Sequence, residues 1–220
     1  MGDYAVREVK AHIKMTNITP PIRRKKAIES IQDAVARHTG NQILLTLLDM
    51  PTGLNDLYRI SRIFFKDGQN LALVGLAGSG KHELLQLAAI LNDVVILEMN
   101  VPCFGQPLKF VKAFKNALKS VAKLNQPTML QISETQLRDP IYYDYVYTFM
   151  SSIVRMDECV LFDEEFKAEL AEIEASAIRK LKKVTVPDAA TCFKQAVDKI
   201  KKMLHVVFLF SDLMSYKESF

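Results

Sequence analysis

The chain has 220 residues, enough for one large domain, or a domain with an appendage, built around a real core. Hydrophobic residues make up 49% and charged residues 25%, a globular composition; 29 Lys+Arg against 25 Asp+Glu leave a net +4, too mild to point to nucleic acid or a membrane surface. The longest apolar runs, such as residues 206–210, fall far short of the roughly 18 residues of a spanning helix.

The start, Met1-Gly2-Asp3-Tyr4-Ala5-Val6, has no apolar secretion segment, and Val6 stands where a myristoylation signal needs Ser or Thr. Residues 1–22 read as extended, broken by Asn17, Thr19, Pro20 and Pro21. The following cluster, Arg23-Arg24-Lys25-Lys26, is either a localisation or nucleic-acid patch or a solvated helix start, and the absence of interleaved aromatics favours the second. Residues 25–38 place Ile28, Ile31 and Val35 on one helical face, ended by Thr39-Gly40-Asn41. An apolar stretch over 43–48 leads to a break at 51–53, and a short helix over 54–65 then aligns Leu57, Ile60 and Phe64 before Lys66-Asp67-Gly68 closes it.

From Asn70 onward short apolar runs alternate with helical periods, the signature of a parallel sheet covered by helices. The expected strands are 71–75, 94–99, 128–132 and 206–210. The expected helices are 81–91, 108–123, 141–154, 166–181 with Phe166, Leu170, Ile173, Ala177 and Leu181 on one face, and 189–203 with Phe193, Val197 and Ile200 on one face. The last helix delivers the chain straight into the fourth strand. Cys103, Cys159 and Cys192 are odd in number, widely spread and without C-x-x-C spacing, so they read as small buried hydrophobes in a reducing compartment. Of His12, His38, His82 and His205, only His82 has neighbours that give it chemical meaning.

Those neighbours are Gly75-Leu76-Ala77-Gly78-Ser79-Gly80-Lys81, a phosphate-binding loop set between a strand and a helix. Its glycines let backbone N–H groups curl around an anion, the helix adds its positive end, and Lys81 can reach the outer phosphates of a nucleotide. His82 departs from the pattern. It stands where Ser or Thr normally offers a hydroxyl to Mg²⁺, and an imidazole nitrogen poorly replaces a hard oxygen ligand. Hydrolysis also needs acids at the end of a neighbouring strand, one for the metal and one for the attacking water. The third strand offers only Ser133-Glu134, with Ser133 in the metal-anchoring place and Glu134 in the water-orienting one. Glu134 reads either in that role or as a strand-end surface acid, and Asp139 before Pro140 reads as a helix start.

The run Leu57-Tyr58-Arg59-Ile60-Ser61-Arg62-Ile63, followed by Asn70-Leu71-Ala72-Leu73-Val74 and the loop, resembles the fourth AAA+ module of dynein heavy chains, with its "RISR" helix before "GVGGSGK". Gly2-Asp3-Tyr4 is similar to that module's opening "GDY", Thr135-Gln136-Leu137 to the segment after its third strand, and Leu204-His205-Val206-Val207 to its "LHVVL" strand. The likeness runs over nearly the whole chain. It implies a P-loop AAA+ large subdomain, with residues 1–66 as a helical entry segment and 67–220 as the α/β subdomain, incomplete before the helical lid. It implies ATP or ADP as ligand, with Mg²⁺ weakly held by the protein, and Ser211 at the sensor position. It also implies neighbouring AAA+ modules of the same heavy chain as partners, microtubules reached only through the parent chain, and no nucleic acid or membrane. In the family the fourth module tunes the motor cycle that the first drives. His82 and Ser133-Glu134 are similar to axonemal members, which implies a cilium or flagellum. The competing readings are a free-standing P-loop nucleotide kinase or small NTPase, for which Arg138, Arg155 and Arg179 show no substrate-pocket arrangement, and a scaffold with a vestigial pocket.

Overall fold

A computed structural model describes residues 28–29, 31–33, 35–36, 52–99, 107–137, 140–154, 162–180 and 187–211. The elements in order are α1 (Gly53–Ile63), β1 (Leu71–Val74), α2 (Lys81–Asn92), β2 (Val95–Glu98), α3 (Pro107–Leu124), β3 (Thr128–Ser133), a 3-10 turn (Glu134–Leu137), α4 (Pro140–Val154), α5 (Glu164–Lys180), α6 (Ala189–Met203) and β4 (Leu204–Phe210). The four strands form one parallel sheet in the order β1-β4-β3-β2. The described residues of the 25–38 helix are helical, with Ile31 and Val35 buried. The basic cluster at Arg23, the 43–48 stretch, His12, His38, Cys103 and Cys159 lie outside the described residues.

Side-chain alternation divides the core between the two faces of the sheet. Leu130 and Ile132 of β3 and Leu204 and Val206 of β4 face α3 to α6, where Phe110, Phe114, Leu118, Leu170, Val197 and Ile200 are buried. Each fully buried Phe there contributes about 2 kcal/mol of burial free energy. Tyr142 of α4 stacks on Phe110 with ring centroids 4.6 Å apart. Residues of opposite parity, Met129 and Val207, face α1 and α2, against Leu54, Leu57, Leu85 and Leu87. Because β3 and β4 are central, four residues of β4 and five of β3 are buried in unbroken runs.

The elements differ from the sequence reading by at most two residues at their ends. Strand β4 begins at Leu204, two residues earlier than expected, because α6 ends at Met203 and passes into the strand without a loop. On α6, Cys192, Ala196, Val197 and Ile200 are buried, and half-buried Phe193 packs against the same core as Val197 and Ile200, so the expected face is formed. Ala171, Ala175 and Cys192 form the seam with α5, where small residues let the helices approach closely.

The α1–β1 connection is held by Gly68, whose φ of +61° suits glycine. A Cβ there would lie 2.6 Å from the Lys201 carbonyl oxygen of α6. Asp163 opens α5: its Oδ1 accepts from the Phe166 N–H at 2.9 Å and its Oδ2 from Lys115 at 2.6 Å. The Lys115 bond and that backbone N–H hold its carboxyl below the ordinary carboxylate range.

Candidate functional site at the carboxyl ends of the strands

Parallel strands bring the segments that follow them to one edge of the sheet, so the loop after β1, Glu98 at the end of β2, Ser133 and Glu134 at the end of β3 and Ser211 after β4 converge there. The Gly75 N–H donates to the Phe210 carbonyl at 3.2 Å, fixing the start of the loop beside the end of β4. Gly78 and Gly80 take φ of +76° and +77°, which turn the loop back toward α2. At Gly75 an added Cβ would approach the Ser79 Oγ to 3.1 Å, and at Gly78 it would meet nothing within 4 Å, so the loop is tight at its base and open at its rim.

Gly80 caps α2 without a side-chain hydrogen bond, leaving the first-turn N–H groups with no side-chain acceptor. The Lys81 ammonium turns inward, donating to the Gly75 carbonyl at 2.5 Å, the Leu76 carbonyl at 2.8 Å and the Ser79 hydroxyl at 3.3 Å. All three donors of the head group are thus held over the loop. Uncapped N–H groups, two left-handed glycines and a centred ammonium fit a phosphate group.

The positions that would hold Mg²⁺ are engaged otherwise. The His82 ring lies between three elements: its Nδ1 is 3.0 Å from Gln131 Nε2 of β3, its Nε2 2.8 Å from Gln86 Nε2 of α2, and its Nε2 3.8 Å from Glu98 Oε1 of β2. A neutral imidazole has one acceptor nitrogen, so one of the two amides must present its oxygen. Turning the Gln131 amide gives its buried Oε1, otherwise without a partner among the described residues, the Nδ1–H as donor. Ser133 Oγ pairs with Thr135 Oγ1 at 2.6 Å. The Ser133 N–H donates to Gln136 Oε1 at 2.9 Å, while Gln136 Nε2 donates to the Met99 carbonyl, stapling the ends of β3 and β2 together.

Glu134 faces Ser211: the Ser211 N–H donates to one carboxylate oxygen at 2.5 Å and the Ser211 hydroxyl to the other. This set, an imidazole packed among amides, a serine bonded to a threonine and one acid held by two donors, does not fit an octahedral Mg²⁺ site. Among the described residues there is no group of three or more His, Cys, Asp and Glu that could hold a metal ion.

The structure therefore brings Gly75, Gly78, Ser79, Gly80, Lys81, His82, Ser133, Glu134 and Ser211 to one edge. It adds Gln86, Glu98, Gln131 and Gln136, to which the sequence reading gave no role. One signal was available for Gln131: it stands two residues before Ser133 and so shares its face of the strand. Glu98 is opposite Gln131 in the β2–β3 register, which only pairing reveals. Arg179 pairs with Glu172 at 2.8 Å on α5, and Arg138 and Arg155 lie outside the described residues.

A four-stranded parallel sheet in the order β1-β4-β3-β2, flanked by helices and carrying a glycine loop between β1 and α2, defines a P-loop α/β domain of the AAA+ type. Residues 45–218 match the family described as P-loop containing dynein motor region D4, and the chain belongs to that family. It is 23% identical over 185 residues to the dynein beta chain of the flagellar outer arm of Chlamydomonas reinhardtii, covering 83% of this chain and 4% of that protein. To human dynein axonemal heavy chain 17 it is 26% identical over 185 residues, 83% of this chain and 4% of the relative. To human dynein axonemal heavy chain 2 it is 22% identical over 216 residues, 96% of this chain and 5% of the relative. The chain thus spans about one twentieth of the length of these relatives. No helix among the described residues is long and apolar enough to cross a membrane.

Proposed function

We propose that this chain is the nucleotide-binding module of a dynein heavy chain that holds ADP or ATP and regulates the motor cycle with little or no turnover of its own. Gly75, Gly78, Ser79, Gly80 and Lys81 hold the phosphates, and His82 borders them. Glu134 stands in the water-orienting position, Ser211 in the sensor position and Ser133 in a degenerate metal position. Residues 1–66 serve as the entry segment and 67–220 as the P-loop subdomain. Neighbouring AAA+ modules of the same heavy chain are its partners, microtubules are reached through the rest of that chain, and the setting is the axoneme of a cilium or flagellum, in keeping with the axonemal relatives.

The observation that carries the reading is the Lys81 ammonium centred over a loop whose helix has no side-chain cap. A phosphate entering there exchanges carbonyl partners for charged oxygens, and the lysine and helix end act together. Regulation without efficient turnover follows from the donor set. Binding needs only N–H groups and an ammonium, whereas transfer needs charge neutralised on the leaving phosphate by a positioned metal or arginine. Calorimetry with ADP and ATP on the wild-type chain and on Lys81→Ala tests the assignment. Binding weakened at least tenfold in the variant is expected, and equal affinity in the two proteins would refute it.

A further inference from the structure

We infer that the groove between the carboxyl-terminal halves of α3 and α5 binds an amphipathic anion, a small molecule with an apolar body and a single carboxylate head. This site is separate from the phosphate loop and independent of the nucleotide-binding reading above.

A cavity of about 760 Å³ lies between these helices, within the size range of pockets that enclose small ligands. Its floor is apolar, built from Ala122 of α3 and Ile173, Ala177 and Ile178 of α5. Ala122 is buried and the other three are half-buried, so the packing of the helices leaves part of this apolar surface facing the cavity. Its place follows from the topology. The phosphate loop lies at the carboxyl ends of the strands, whereas α3 finishes at Leu124, just before β3 begins at Thr128, so the cavity sits at the amino ends.

The charges around the cavity select the ligand's sign. Three carboxylates line it, and each is already neutralised: Glu169 by Lys119 at 2.5 Å, Glu174 by Lys199 at 2.6 Å and Glu172 by Arg179 at 2.8 Å. The two other lining lysines, Lys123 and Lys180, are exposed and have no acidic partner among the described residues. The cavity therefore carries two uncompensated positive charges beside an apolar floor. Lysine stems lie along apolar surface while their ammonium heads stay in water, so both heads can meet an anionic group at the mouth without being desolvated first. An apolar cation would meet like charge there, and a highly charged polyanion has too little apolar surface for the floor. One exposed ammonium acting on a carboxylate changes affinity by roughly two- to fivefold, so two acting on one head group give about tenfold.

The test is calorimetric titration of the 220-residue chain with decanoate and with decyltrimethylammonium, which share an apolar chain and differ in the sign of the head. The proteins are the wild type, the double variant Lys123→Gln with Lys180→Gln, Ala177→Phe, and Lys81→Ala, with a circular dichroism melt to verify each fold. The wild type is expected to bind one decanoate per chain, about tenfold more tightly than the cation. The double lysine variant is expected to lose about tenfold in decanoate affinity and none for the cation. Ala177→Phe, which fills the floor, is expected to weaken both, and Lys81→Ala to change neither. Equal affinity of the wild type for the two probes overturns the inference, as does the absence of saturable decanoate binding or an unchanged affinity in a folded double lysine variant. Decanoate binding lost in Lys81→Ala overturns it too, because the anion would then occupy the phosphate loop.

Discussion

Replacing Gly68 by alanine should destabilise the fold for two separable reasons. Its φ of +61° costs an L-residue about 1–2 kcal/mol. The new Cβ would stand 2.6 Å from the Lys201 carbonyl oxygen, a backbone atom near the end of α6 that cannot rotate aside as a side chain would. Easing that contact requires a shift between the α1–β1 turn and α6, which adds about 1–2 kcal/mol by analogy with overpacking. The expected loss is about 2–4 kcal/mol, or roughly 5–15 °C in Tm for a chain of this size. Gly78→Ala is the internal control. Its φ of +76° imposes a similar conformational cost, but an added Cβ meets nothing within 4 Å, so the expected loss is about 1–2 kcal/mol. Urea denaturation of both variants with a common slope measures the difference. If Gly68→Ala costs no more than Gly78→Ala, the steric part of the argument is wrong.

Two further outcomes are expected. His205 is buried in β4, with Nδ1 3.0 Å from the Gln69 carbonyl and its ring edge-on to Phe64. Burial pushes its pKa below the ordinary 6.5, against the opposing pull of the Gln69 carbonyl and Asp67. The unfolded chain therefore takes up the proton first, so stability is fully present above about pH 6.5 and declines as the pH falls below it. In urea melts from pH 7.5 to 5, His205→Gln should flatten this slope, and an unchanged slope would assign the effect to other groups. At the site, nucleotide affinity should depend weakly on Mg²⁺ in the wild type and more strongly in the double variant His82→Thr with Ser133→Asp, which restores two oxygen ligands. Titration with and without EDTA decides this, and a wild type that loses most of its affinity in EDTA would contradict it.

Most of the architecture could be read in the sequence because strands and helices leave local signatures. The four apolar runs fell within two residues of the strands, and the glycine loop was placed by its flanks. The order β1-β4-β3-β2 left no such signature, since it depends on which strand edges meet after collapse and not on any residue's neighbours in the chain. The site divides in the same way. Lys81 and the glycines announce themselves because a phosphate loop is contiguous, whereas the Glu98–Gln131–His82 cluster is assembled from β2, β3 and α2 by register. The pairing of Glu134 with Ser211 likewise joins residues 77 positions apart, brought together because β3 and β4 are adjacent.

The passage from Met203 to Leu204 without an intervening loop has a mechanical consequence. Most crossover connections contain a few compliant residues in which a helix can shift without dragging the strand that follows it. Here about 22 Å of helix and about 23 Å of strand are joined in series with no slack between them. The far end of that strut is Phe210, whose carbonyl anchors Gly75, followed by Ser211, which grips Glu134. Midway along it, four residues before α6 ends, the strut is tied to α5 by the Lys199–Glu174 pair, 2.6 Å long and largely out of solvent. A tug on the α5–α6 hairpin is therefore handed to the rim of the phosphate loop, and a strain born at the loop travels back along the same rod.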